Sequence, residues 1–93
     1  MVNELLATGQ ENAITGRELA RKLNCGIRDI TAQIEKERRE GQPICAAFGD
    51  PAGYYLASDP EELQEYCESL KGRAIELFKT RQALIKTLQK AQP

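Results

Sequence analysis

The sequence predicts a mainly α chain with one small β-hairpin and a long C-terminal helix. Three observations predict it. Two helix-like apolar runs meet at Asn24-Cys25-Gly26, a stretch that favours a sharp turn. Two short apolar segments, 44–48 and 54–57, flank Gly49-Asp50-Pro51-Ala52-Gly53, which has the composition of a hairpin loop. Finally, Asp59-Pro60-Glu61-Glu62 opens a segment whose leucines recur every seven positions.

Taken in order, Val2, Leu5 and Leu6 predict a short first helix, ended near Thr8-Gly9 by a residue that tolerates the left-handed conformation. A polar loop, Gly9-Gln10-Glu11-Asn12, follows. Ala13-Ile14 is long enough only for a strand-like bridge. Thr15-Gly16-Arg17-Glu18 matches a capping box, in which a hydroxyl satisfies free amides and a glutamate three residues on reaches back. Ile14 and Leu19 are spaced as a hydrophobic staple around it. The helix that starts near Gly16 carries Leu19, Ala20 and Leu23 inward, and Asn24 closes it.

A further helix is predicted from about Ile27 to Glu40, stopped by Gly41. Ile27, Ile30 and Ile34 share one face. The stripe is narrow, because Gln33 and Glu37 occupy positions that apolar residues would have widened. Arg28, Ala32, Glu35 and Arg39 lie on the opposite side, with Thr31 at the flank. Pro43 opposes helix continuation and favours the extended chain of the first strand. Of Tyr54 and Tyr55, alternation expects one packed and one exposed; Phe48 is expected to pack on the hairpin. The last helix is predicted from Pro60 to about Gln89, with Leu63, Leu70, Leu77 and Leu84 in register, Cys67, Ala74 and Leu88 between them, and Phe78 and Ile85 broadening the stripe. Arg81 interrupts the series, and Gly72 weakens the helix by up to about 1 kcal/mol relative to Ala.

The composition narrows the function classes. At 93 residues, with 41% hydrophobic and 29% charged content, the chain makes one domain with an appendage: 1–58 and 59–93. It contains no apolar run of membrane-spanning length, and its opening ten residues hold Glu4 and no base, unlike a signal peptide. Three widely spaced cysteines and no histidine oppose a disulfide framework, a zinc site and histidine-based acid–base catalysis. The expectation is a cytoplasmic non-enzyme without metal, cofactor or small-molecule substrate. Charge is polarised along the chain: residues 41–70 hold six acids and no base, whereas 71–93 hold six bases against Glu76 alone. Such blocks predict contacts between parts of the chain or between chains.

The stretch LARKLNCGIRDITAQIEKERREGQPI followed by GYYLA resembles the winged helix-turn-helix domains of bacterial and phage regulators. It is similar to the amino-terminal domain of the biotin-ligase repressors. The resemblance covers about residues 3–58, with turn, helix end and wing in register. It places Asn24 at the usual left-handed turn position, Cys25 at a small buried position beside Leu23 and Ile30, and Gly26 at the cap. It also implies double-stranded DNA as partner, with the third helix entering a major groove. Arg28 would then meet a guanine edge or a phosphate, Thr31 a backbone or a thymine methyl, and Ala32 would face the groove. Lys36, Arg38 and Arg39 would lie near phosphates, with Arg17, Arg21 and Lys22 assisting from the supporting helix.

The last helix, about 45 Å long, would outrun a domain of this size and expose apolar residues, the mark of an interface. Leu63, Leu70, Leu77, Phe78, Leu84 and Leu88 are therefore expected to form a homodimer contact. The function expected is a sequence-specific DNA-binding regulator. The alternative is a protein-interaction adaptor on the same fold, favoured by the acid-bearing hairpin loop and the net charge of −1.

Overall fold

The computed structural model describes residues 1–91, so residues 92–93 of the expected C-terminal element lie outside the described residues. Among the described residues are three α-helices and one two-stranded antiparallel sheet, and helix predominates. The chain divides into two compact units, one of residues 1–63 and one beginning at Gln64.

The first unit opens with two short 3-10 turns, Asn3–Leu5 and Gln10–Asn12, where the sequence had suggested a helix and a loop. Helix α1, Gly16–Leu23, begins at Thr15, whose hydroxyl accepts the Glu18 amide at 3.1 Å. It ends at Asn24, in the left-handed region at φ 52° and ψ 52°. The Cys25 amide donates to the Ala20 carbonyl at 3.0 Å and closes the turn. Helix α2, Ile27–Arg39, follows after three residues. Gly26 offers no capping side chain, but the Asp29 carboxylate reaches back and accepts its amide at 3.0 Å. Gly41, at φ 99°, takes the chain out of the helix.

Strands β1, Ile44–Ala47, and β2, Gly53–Leu56, pair with Ile44 opposite Leu56 and Ala47 opposite Gly53. The other edge of β2 is covered. Ile14 and Tyr54 exchange two backbone hydrogen bonds, of 3.0 and 2.7 Å, as the Ala13-Ile14 bridge predicts. Beyond them the Gly9 amide donates to Leu56, and the Leu56 amide donates to Ala7, both at 2.9 Å. The sheet edge is thereby closed to other strands. Gly53, at φ 127°, permits this approach, since a Cβ there would strike the Ile14 carbonyl.

The core joins Val2, Leu6, Leu19, Ala20, Ile30, Ile34 and Ile44, with Ile14, Leu23, Tyr54 and Leu56 packed against it. Four expectations are corrected here. Cys25 is exposed, because its turn is closed by backbone, while Val2 and Leu6 of the N-terminal segment supply the apolar filling. Ile27 is 54% exposed, since it occupies the first position of α2 at the edge of the arc defined by Ile30, Ile34 and Glu37. Both tyrosines pack: Tyr55 is buried, and Tyr54 lies half-buried on the core. Phe48 is 77% exposed, because β1 ends at Ala47 and the ring falls in the connection beyond it.

Helix α3, Pro60–Ala91, is 32 residues long and so spans about 48 Å. Asp59 caps it, with Oδ1 accepting the Glu62 amide at 2.8 Å, and Glu62 accepts the Ser58 amide at 2.7 Å in return. No helix among the described residues is long and apolar enough to cross a membrane.

Candidate functional site

The outward face of α2 follows from its inward one. Ile30, Ile34 and Glu37 are buried, so the side chains about half a turn away point to water. Arg28, Ala32, Glu35 and Arg39 recur at the spacing of a single helical face, and all four are exposed, as are Lys36 and, at the flank, Thr31. The Thr31 hydroxyl donates back to the Ile27 carbonyl at 3.2 Å.

Charge on this face is partly neutralised from within. Glu35 lies 3.5 Å from Arg38 and 3.8 Å from Arg39. Asp29 is engaged by the Gly26 amide, and Glu37 is buried. The exposed groups of α2 are Arg28, Lys36 and Arg39 against Asp29 and Glu35, the same excess of one base as in its sequence count of four bases and three acids. Arg38 differs from its neighbours: its Nε donates to the Ile44 carbonyl at 2.9 Å, tying α2 to β1. The side chain is only 23% exposed, so its packing role is substantial. On α1, Arg17, Arg21 and Lys22 are exposed, with Arg21 4.0 Å from Glu18.

Sequence reasoning missed the role of Glu37. At 3% exposure its carboxylate accepts the amides of Val2 at 2.9 Å and Asn3 at 2.8 Å, together with the Gln33 side chain at 2.8 Å. The Met1 ammonium lies 3.6 Å away. Burial alone pushes this carboxyl up, but the Asn3 and Val2 amides, Gln33 and the ammonium outweigh it and hold the group below its ordinary value. Glu37 thus fastens the N-terminal segment to the buried side of the helix whose other side is the candidate surface. The available signal was a charged residue at a core position, with a glutamine one helical turn before it.

Among the described residues, two of the shallow depressions lie on the first unit's surface. One, of about 300 Å³, lies between the start of α1 and the hairpin, and Thr15, Gly16, Ala46, Phe48 and Tyr54 are among the residues that line it. The other, of about 210 Å³, lies beside the turn and is bordered by Val2, Leu23, Cys25 and Ile30. Neither brings together a set of catalytic groups. Among the described residues no group of His, Cys, Asp and Glu has the arrangement to hold a metal ion.

On α3, Leu70, Leu77, Phe78, Leu84 and Leu88 are exposed, with Leu77 at 72%. Leu63 is half-buried and Tyr66 is buried. The apolar surface open to a partner thus starts at Leu70, one heptad later than the leucine series suggests. No protein-family model, curated protein or solved structure matches this chain.

Proposed function

We propose that the chain is a winged helix-turn-helix protein that binds double-stranded DNA in a sequence-specific manner and acts as a homodimer, a regulator of transcriptional or phage type. In this reading α2 is the reader, the β1–β2 hairpin is the wing and α3 is the dimer handle. The observation that carries it is the outer face of α2. Arg28, Thr31, Ala32, Lys36 and Arg39 stand exposed on a helix held against α1 by a left-handed turn, with Glu35 paired to Arg39 and Glu37 buried. Arginine at such a position suits bidentate pairing with guanine, while Ala32 and the Thr31 methyl suit close approach to thymine. Lys36, Arg39 and the α1 residues Arg17 and Arg21 supply the phosphate contacts on which affinity depends. Arg38 supports the surface through β1.

Fluorescence anisotropy with selected and random duplexes over a salt series tests this reading. The expected result is binding that weakens linearly with the logarithm of salt concentration and is tighter for the selected duplex. Absence of binding below about 10 μM at about 50 mM salt would overturn it.

A second reading, a protein-interaction adaptor, is favoured by one observation. The hairpin connection presents exposed Phe48 and Asp50 beside an apolar depression, and residues 44–58 contain no base to meet phosphate. A partner protein that co-purifies, combined with no salt-dependent DNA binding, would decide for the adaptor.

A further inference from the structure

We infer that α3 pairs with α3 of a second copy in antiparallel orientation, about a twofold axis beside Phe78 and Lys79. This rests on the homodimer reading above and specifies its geometry. The exposed leucine series begins at Leu70 and ends at Leu88, so position 79 is its midpoint. Upstream, half-buried Leu63 and buried Tyr66 are less available to a partner.

The side chains along the stripe are self-complementary when the helix is reversed about that midpoint. Leu70 then faces the partner's Leu88, Ala74 faces the partner's Leu84, and Leu77 faces the partner's Arg81. Small opposes large at the second of these layers, which fills space that two alanines would leave empty. The Arg81 methylenes cover the partner's Leu77 while the guanidinium reaches the rim. Phe78 lies at the axis, where the two rings meet.

A parallel, in-register pair does the opposite at each critical layer. It sets Arg81 against Arg81 and Ala74 against Ala74, a like-charge contact and a gap in one interface. It also runs the acidic stretch Asp59–Glu68 beside its own copy and the basic stretch Lys71–Lys90 beside its own copy. Antiparallel pairing brings Glu68 level with the partner's Lys90 at both ends of the contact. These residues lie on the outer faces, so their attraction is screened and adds to an orientation that Arg81 and Ala74 already favour.

The test is disulfide cross-linking in the full chain with the exposed Cys25 and Cys67 replaced by serine and the buried Cys45 retained. Leu70→Cys chains are mixed with Leu88→Cys chains and mildly oxidised, and Leu88→Cys is oxidised alone. Light scattering of the unsubstituted chain is measured at about 100 μM, because association depends on concentration. The expected result is a mass of twice 10.4 kDa, a cross-link in the mixture and none with Leu88→Cys alone. A cross-link with Leu88→Cys alone overturns the antiparallel orientation. A dimer mass with neither cross-link overturns pairing through this stripe while leaving the homodimer standing. A monomer mass removes the homodimer and this inference together.

Discussion

The carboxylate of Glu37 accepts the amide of Val2 at 2.9 Å, across 35 positions of sequence. The bond matters because Val2 has no exposed surface, so the segment that carries it fills the space beneath the α1–α2 turn. A buried acid on the inner side of α2 thus fastens the N-terminal segment beneath the turn that presents the helix's outer side.

Replacing that acid tests the fastening. Glu37→Gln keeps the shape but turns an amide group toward backbone donors, and it should destabilise the fold by about 2 kcal/mol at pH 7. The folded-state carboxyl is held below its ordinary value of 4.5, so the unfolded chain binds the proton more readily. The Glu37 contribution is then fully present above that value and is lost as pH falls through the lower folded value. Urea unfolding of both proteins from pH 7 to pH 3 should show their midpoints converging only at the acid end.

Asn24 offers a second test, because its φ of 52° lies where branched side chains are strained. Asn24→Val should cost about 1–2 kcal/mol, whereas Asn24→Gly should stay within about 0.5 kcal/mol of the parent. Chemical denaturation of the two variants reads the difference. Equal losses would show that side-chain hydrogen bonding, and not backbone conformation, governs the turn.

Arg28 and Arg38 should separate binding from folding. Arg28 is exposed and carries the proposed base or phosphate contact, so Arg28→Ala should weaken binding to the selected duplex about 5- to 150-fold with no change in unfolding midpoint. Arg38 holds the Ile44 carbonyl, so Arg38→Ala should lower the unfolding free energy by about 1–2 kcal/mol as well as weaken binding. Anisotropy and urea denaturation on the same preparations distinguish the two.

The exposed stripe of α3 yields a further prediction. Leu84→Asp sets a charge against the partner's Ala74 in the proposed contact and should convert the dimer to a monomer at about 10 μM without loss of helical circular dichroism. Light scattering and ultracentrifugation measure the mass directly. A dimer that survives the substitution would move the contact elsewhere on the chain.

Much of the local structure was legible because short-range chemistry writes it. Thr15 starts α1, Asn24 ends it, and Asp59 with Pro60 starts α3, each through bonds or dihedrals confined to a few neighbouring residues. The hairpin was equally readable, with β1 ending one residue early and β2 both starting and ending one residue early. The exposed basic face of α2 followed from periodicity alone, since burying Ile30 and Ile34 sends Arg28, Ala32 and Arg39 outward.

By itself, then, the sequence determined the order of helices and strands, the capping residues and the side of α2 that meets water, because these depend on spacing and on neighbours along the chain. Only the tertiary structure decided that Glu37 belongs to the core, that Cys25, Ile27 and Phe48 do not, that Arg38 braces β1, and that segments 7–9 and 13–14 close the sheet edge. Those outcomes depend on partners remote in sequence. A carboxylate is stable inside once distant amides converge on it, and an apolar side chain is buried only where another element arrives to cover it.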